Sequence, residues 1–282
     1  MIRRILVACT FGFLLAVVYS SPVLSGDQTS VPKSAPATQP KAPAAAKPAT
    51  TAQMPLVGVT IVQIKPELLL EWQDFQKNEV IPTLQKGGVK QRSVFVTAIG
   101  PSFEYAILTP LTNYAERDGD SPIVKALGQE GARAFGQKNR RFVASQRTYA
   151  TRVRTDLSYL PDPNAQLPVA VVSNYSIAPG RATEFETYVK TDMTPAHKQL
   201  KTGGFMVYQG QFGGDGNTFI VATLVHDFAE LDKGPAIVRA YGQARATALQ
   251  QKLAGIVTHV ERTVVRETPE YGFRPRTTSE NR

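Results

Sequence analysis

The sequence predicts an α+β fold in which one unit, with the order strand, helix, strand, strand, helix, strand, occurs twice in tandem. Residues 56–273 repeat themselves at a spacing of about 113 residues. Runs of β-branched residues alternate with stretches whose apolar residues recur at helical spacing. Proline and glycine stand at matching places in both copies. These three observations predict two domains, 56–160 and 168–273, with a linker, 161–167, between them.

The repeat is clearest in the first helix of each copy. Residues 76–88 read QKNEVIPTLQKGG and residues 189–204 read VKTDMTPAHKQLKTGG, each with a proline followed by a glycine pair. Such a match indicates that one structural element is written twice. The corresponding residues upstream and within this stretch are Pro66 and Pro179, Trp72 and Phe185, Phe75 and Tyr188, and Pro82 and Pro195.

The elements of each copy follow from local patterns. The first strands, VGVTIVQI and VAVVSNYSI, stop shortly before Pro66 and Pro179. In copy one both alternating faces of this strand are apolar, which predicts cover on both sides. The next helix carries an apolar stripe, is kinked or restarted by its proline and ends at the glycine pair. The second helix begins near Pro122 and Pro235, since proline is favoured in a first turn. The other predicted strands are 90–98, 103–109 and 142–154, then 205–212, 218–225 and 256–267.

This order is that of a ferredoxin-like unit, an antiparallel four-stranded sheet with two helices on one face. One unit leaves the other sheet face bare, so two units are expected to pack sheet to sheet. Each unit has a proline-kinked first helix and a second helix that opens at Ser121-Pro122 or Gly234-Pro235. Two such units fused in one chain resemble the dimeric α+β barrel superfamily. The NIPSNAP-like and antibiotic-biosynthesis-monooxygenase-like members are the most similar. That superfamily includes cofactor-free monooxygenases, haem-degrading enzymes, haem peroxidases and isomerases, so the resemblance implies a fused dimeric α+β barrel and constrains function weakly.

The N-terminal residues predict an exported protein. Residues 1–25 have the pattern of a signal peptide, with Arg3 and Arg4 before the apolar run 5–18. An uncleaved anchor is the alternative, although this run is short for a membrane span. The only cysteine, Cys9, lies in this segment, so the mature chain would be free of disulfides. We therefore expect a secreted or periplasmic protein that has no membrane span after cleavage.

Two further segments are predicted to lie outside the folded domains. Residues 26–55 are rich in Pro, Ala, Thr and Lys and predict a disordered linker, and residues 274–282 form a short tail. The formal net charge is +9, which could favour anionic partners. The positive residues are scattered, however, and no basic stripe with interleaved aromatic residues occurs, so we expect no nucleic-acid binding.

Three histidines, His197, His226 and His259, all lie in copy two. His259 and Glu261 are two residues apart in a predicted strand and therefore share a face. If that face lines the barrel, the pair could act as base and acid, or His259 could ligate a haem iron. If it faces solvent, they are an exposed strand pair. No HExxH, HxH or CxxC spacing indicates a metal site.

The other two histidines have plainer alternatives. His226 precedes Asp227, whose carboxylate could orient the imidazole for acid–base chemistry. Copy one has Asn113 at the place of His226, where Asn or Asp favours a turn or helix cap, and the cap interpretation is preferred. His197 follows Pro195-Ala196 on a helix and is expected to face solvent.

Polar residues within otherwise apolar strands mark a candidate pocket. Asn174, Tyr175, Arg147 and Arg262 belong to this group. An arginine in a covered strand must be paired with an internal acid, such as Glu261, or with an anionic ligand. Pairing with an acid is the favoured alternative.

These observations do not name a substrate. They favour an exported barrel protein that binds a small apolar or anionic molecule, or a protein partner at the cell envelope. The alternative is a cofactor-free monooxygenase or haem-handling enzyme with its site in the second domain. No cofactor is expected apart from the haem of that alternative. A purely structural role and further homo-oligomerisation stay open.

Overall fold

Eight strands form one closed antiparallel barrel in the computed structural model, which describes residues 54–162 and 165–274. Their bounds agree with the predicted strands to within three residues, because β-branched runs ended by proline or glycine mark strands well. The predicted signal peptide, nearly all of the linker and most of the tail lie outside the described residues. The strands are β1 (Leu56–Ile64), β2 (Ser93–Ile99), β3 (Glu104–Leu111), β4 (Val143–Val153), β5 (Val169–Ile177), β6 (Gly204–Phe212), β7 (Thr218–Val225) and β8 (Val257–Glu267).

The order around the barrel is β1-β3-β2-β8-β5-β7-β6-β4. Strands β1–β4, the first half, and strands β5–β8, the second half, therefore each have the ferredoxin-like order 4-1-3-2. The halves are joined edge to edge by hydrogen bonds between β2 and β8 and between β4 and β6. The α+β class and the barrel are confirmed, and the expected sheet-to-sheet packing takes the form of one continuous closed sheet. Duplication as the origin of the two halves, and the division into two domains, stay predictions.

The helices pack on the outside of the barrel, because an eight-stranded barrel has room inside for side chains only. Short 3-10 turns occur at Pro66–Leu68, Tyr114–Arg117 and Pro269–Tyr271. The α-helices are α1 (Leu69–Phe75), α2 (Ile81–Lys86), α3 (Pro122–Phe142), α4 (Ala182–Tyr188), α5 (Thr194–Leu200), α6 (Ala229–Asp232), α7 (Ala236–Tyr241) and α8 (Gln243–Leu253).

A π-helical turn precedes the proline of the first helix in both halves. The turns span Gln76–Val80 and Val189–Met193 and separate α1 from α2 and α4 from α5. A proline inside a helix has no N–H and its ring meets the carbonyl four residues earlier. The wider π turn accommodates this strain and moves the side chains that follow to a different face.

The second long helical segment of each half is interrupted at a glycine. Gly128 lies within α3 with φ 71°, and Gly242 lies between α7 and α8 with φ 79°. Both values are in the left-handed region that glycine adopts without strain. The helix is therefore broken at this glycine in both halves, within α3 in the first half and between α7 and α8 in the second.

Strands β4 and β8 are only partly covered by neighbours. Strand β6 pairs with residues 150–153 of β4, and β2 pairs with residues 264–267 of β8. The N-terminal parts of both strands therefore have a hydrogen-bonded neighbour on one side alone, β1 or β5. Side chains there reach solvent.

Each half has its own core between sheet and helices. The first-half core is aromatic, with Trp72, the only tryptophan, in contact with Tyr105 and Tyr271. In the second-half core, Phe185 contacts Tyr175 and Phe219 at ring centroid distances of 5.1 Å. The candidate site described next adjoins this second core.

Candidate functional site

A cavity of about 800 Å³ lies in the second half, between the outer face of β5, β7 and β8 and the helices α5, α7 and α8. Its walls are largely apolar, with Val171, Val221 and Leu253 among the lining residues. Sites of this size, apolar and with a few polar groups, are typical of small-molecule binding. The polar lining residues are Ser173, Tyr175, Tyr188, His197, Arg239 and Arg262, among others.

His197 is the histidine of the cavity. It is 4% exposed and its ring stacks on Phe205, with centroids 4.3 Å apart. Its Nδ1 lies 3.0 Å from the Thr202 hydroxyl. Burial, with a smaller contribution from the positive charge of Arg239, lowers the pKa of His197 to about 4. The imidazole is therefore neutral at neutral pH.

Several polar atoms at the cavity floor have no protein partner. Within residues 54–162 and 165–274, no hydrogen bond reaches His197 Nε2 or the hydroxyl groups of Ser173, Tyr175 and Tyr188. Burial and, to a smaller extent, the neighbouring Tyr175 raise the pKa of Tyr188 to about 12, so its hydroxyl stays protonated. Arg152 Nε is the only buried side-chain nitrogen or oxygen without a partner among the described residues, so these four atoms are reached by solvent and can bind water or a ligand.

Two guanidinium groups line the exposed side of the cavity. Arg262 projects from β8 and Arg239 from α7, and both are exposed. Neither takes part in an ion pair within the described part of the chain. Glu230 is the only acidic residue of the lining, and one of its carboxylate oxygens accepts a hydrogen bond from the His226 backbone N–H.

The structure separates the residues predicted from β5 and β8 into two groups. Tyr175 and Arg262 line the cavity on the outer face of the sheet. Asn174, His259 and Glu261 lie on the opposite face, because side chains alternate along a strand. This opposite face is the inner face of the barrel sheet, and His259 and Glu261 are both exposed on it.

His226 and Arg147 also lie outside the cavity lining. His226 is exposed, and its Nδ1 lies 3.0 Å from the Gln166 carbonyl oxygen rather than on Asp227. Asp227 Oδ1 instead accepts a hydrogen bond from the Glu230 backbone N–H, as a helix cap does. Arg147 is exposed on the part of β4 that has one neighbour.

Two expectations are wrong. His197 was expected to face solvent, but the π turn before Thr194 turns it into the core. Arg147 and Arg262 were expected to be covered and paired with an acid, but the ends of β4 and β8 project beyond their neighbours and leave both exposed and without an ion pair within the described residues. The residue that sequence reasoning missed, His197, carried one signal: copy one has Leu84, an apolar residue, at the equivalent place.

The residues present do not fit the predicted haem ligation. His259, the proposed axial ligand, is exposed on the sheet face opposite to the cavity. No group of three or more His, Cys, Asp or Glu side chains suited to a metal ion occurs among residues 54–162 and 165–274. Over the same residues, none of the helices has the length and apolar character that crossing a membrane requires.

Comparison with known proteins adds evidence on the fold. No protein-family model matches the chain, and a search of curated proteins found no match. Among solved structures, a putative monooxygenase from Fusobacterium nucleatum is similar, with a TM-score of 0.53 and 10% identity over 77% of this chain and 94% of that one. An anthrone oxidase-like protein has a TM-score of 0.52 and 12% identity over 77% and 92% of the two chains.

A third similar structure is a mutant chlorite dismutase from Candidatus Nitrospira defluvii. Its TM-score is 0.51, at 13% identity over 76% of this chain and 92% of that one. At such low identity these likenesses show the fold alone. The barrel with its outer helices is therefore shared with these proteins, and function must be argued from the cavity.

Proposed function

We propose that this protein binds a small, largely apolar molecule in the cavity of its second half. The observation that carries the proposal is a cavity of about 800 Å³ whose floor presents unpartnered polar atoms from Ser173, Tyr188 and His197 between apolar walls. Apolar walls supply affinity, and a few fixed polar groups orient the ligand. The first half has Leu84 and Thr148 at the places of His197 and Arg262, so this polar set belongs to the second half alone.

The first test is native mass spectrometry of the mature protein from its own compartment, together with a visible absorption spectrum. A mass above that of the denatured chain, with a small molecule released on denaturation, is expected. A Soret band would instead support a haem-handling protein. A bare mass and no absorption, with no binding of the apolar dye Nile red to the purified protein, would contradict the proposal.

A cavity-filling variant locates the binding. Ala246 is 2% exposed and lines the cavity, so Ala246→Phe places a ring in that space. We expect this variant to lose Nile red binding at least tenfold while it keeps its circular dichroism spectrum. Ala132→Phe, 114 residues earlier on α3, is the matched control and should bind as the wild type does. Equal binding by both variants would place the dye elsewhere.

A cofactor-free monooxygenase is the second candidate. The observation that favours it is that a neutral imidazole, His197, and a protonated phenol, Tyr188, lie in one largely apolar cavity. The pKa of about 4 makes His197 a weak general base at neutral pH, which ranks this candidate second. Oxygen uptake with an anthrone as substrate, abolished in His197→Leu, would support it. If neither the wild type nor His197→Leu takes up oxygen with this substrate, the monooxygenase candidate is wrong.

Export is part of the proposal and rests on the signal-like residues 1–25 and the linker-like residues 26–55. The chain would reach the periplasm or the cell exterior. N-terminal sequencing of the protein from that fraction should begin near Gly26. Recovery of the whole chain in the membrane fraction would show an uncleaved anchor instead.

A further inference from the structure

We propose that the ligand of the second-half cavity is an apolar monocarboxylate, held at the cavity mouth by Arg262 and Arg239. This inference rests on the proposed function and adds the chemical class of the ligand. It starts from the charges around the cavity and from the absence of partners for them within the described residues.

The two arginines stand on different walls of the cavity. Arg262 belongs to the sheet and Arg239 to the helical layer. The charge of Arg262 acts on Tyr188 and that of Arg239 acts on His197, so both guanidinium groups lie within electrostatic range of the floor. A ligand between the walls would contact one or both.

Some arginines of the described residues, among them Arg154 and Arg245, have acidic partners, and others, such as Arg147, have none. Arg154 binds Asp156 and Glu186, and Arg245 lies 3.5 Å from Asp192. Arg262 and Arg239 have none, although they share a cavity with only one carboxylate, Glu230. The mouth therefore has a positive balance of two arginines against one acid. An anion is the ligand group that this balance favours.

The guanidinium fork matches a carboxylate in geometry and can donate two parallel hydrogen bonds. The remaining cavity is suited to an apolar body, since Val171, Val221, Val264 and Leu253 line it. Two exposed apolar side chains, Ile99 and Val260, belong to the same lining and extend the apolar surface to the rim. Both features together describe an amphipathic ligand with one anionic end.

Competition against Nile red tests this assignment with three ligands of equal chain length, namely decanoate, 1-decanol and decyltrimethylammonium. Decanoate should displace the dye at roughly ten- to hundredfold lower concentration than 1-decanol, because a charge-assisted hydrogen bond contributes more than a neutral one. Decyltrimethylammonium should be the weakest competitor. The advantage of decanoate should shrink in 0.5 M salt, since both arginines are exposed.

Substitutions of the two arginines test whether they cause the preference for decanoate. Arg262→Gln and Arg239→Gln should each reduce the preference for decanoate over 1-decanol and leave the affinity for 1-decanol unchanged. Arg147→Gln is the matched control, because it removes an exposed arginine of the other half that does not line the cavity. The control should keep the full preference.

The outcomes separate the two proposals. If Ala246→Phe abolishes dye binding but decanoate and 1-decanol compete equally, the cavity binds small molecules and the carboxylate assignment is wrong. An equal loss of preference in Arg147→Gln would also overturn it, since net charge alone would then explain the effect. If Nile red binds neither the wild type nor any variant, and the native mass and the absorption spectrum show no bound molecule, the proposed function itself fails.

Discussion

The imidazole of His197 lies almost flat on the ring of Phe205, with an interplanar angle of 21° and centroids 4.3 Å apart. The contact joins α5 to β6 at the floor of the cavity. A protonated imidazole would be poorly solvated at this buried position, so burial favours the neutral form. This relationship makes the second half sensitive to acid.

We predict that stability falls as the pH drops from about 6.5 towards 4. The folded protein holds the pKa of His197 at about 4, whereas the unfolded chain has the ordinary value of 6.5 and binds the proton first. Over this interval His197 removes up to about 3 kcal/mol from the free energy of unfolding. Urea unfolding at pH 7, 5.5 and 4, followed by circular dichroism, measures the loss.

The matched variants are His197→Leu, which carries the residue of the first half, and His226→Leu, which removes an exposed histidine. The acid loss should be smaller in His197→Leu and unchanged in His226→Leu. An identical pH dependence in all three proteins would mean that other groups cause the acid sensitivity.

Arg154 should be important for stability. Its guanidinium, 11% exposed, donates to Asp156 Oδ1 at 2.9 Å and to Glu186 Oε2 at 2.9 Å, and so ties the end of β4 to α4. Arg154→Met leaves two carboxylates without their partner and should lower the free energy of unfolding by about 2 kcal/mol. The exposed pair of Arg181 with Glu184 is the control, and Arg181→Met should cause no measurable change. Equal changes in the free energy of unfolding for Arg154→Met and Arg181→Met would show that the ion pairs of Arg154 contribute no more than an exposed pair.

Arg92 should hold the C-terminal segment on the first half. It is 4% exposed, and its guanidinium donates to Gln76 Oε1 at 2.8 Å and to the Tyr271 carbonyl. Arg92→Met should cost about 2 kcal/mol, because both acceptors lose their donor. Denaturant unfolding followed by Trp72 fluorescence measures this loss in the free energy of unfolding, since Trp72 contacts Tyr271.

A double-mutant cycle isolates the side-chain part of this network. Gln76→Leu removes the acceptor, so Arg92→Met should cost less in that background than in the wild type. Additive losses would show that the pair does not interact energetically in solution.

The glycine pair after α2 should respond unequally to alanine. A Cβ at Gly87 would lie 2.0 Å from the Pro122 carbonyl oxygen, where the end of α2 meets the start of α3. Gly88 has open space around it but a φ of 90°. Gly87→Ala should therefore destabilise by more than about 2 kcal/mol, and Gly88→Ala by about 1 kcal/mol. The two variants are compared by their midpoint temperatures of thermal unfolding. An equal decrease in both would argue against the close contact between Gly87 and Pro122.

The strands were predictable because their signals are local. The run before Pro66 and the run before Pro179 contain β-branched residues in a row and stop at a residue that cannot continue a ladder. The helix starts near Pro122 and Pro235 were predictable for a similar reason, since Pro122 opens α3 and Pro235 immediately precedes α7.

The position of His197 was not predictable in this way. The buried residues Val189 and Thr194 are five apart rather than three or four, because the π turn between them adds a residue. One added residue rotates the following face by about 100°. A helical pattern extended through the turn without this shift therefore places His197 towards solvent.

From the sequence alone follow the order of the elements, the α+β class and the polar residues that could act chemically, since each depends on neighbours along the chain. Which of those residues share a cavity was decided by tertiary structure. Tyr175 and Arg262 line the same cavity as His197. The pairing of β5 with β8 places the first two on the outer face of the sheet, and the π turn places His197 on the side of α5 that faces it. His259 and Glu261 are excluded from it by one step in the alternation of β8. A shift of one residue in strand register moves a side chain to the other face of the sheet, and one added residue in a helix rotates the side chains that follow it. Packing of the elements against one another determines whether such a shift occurs.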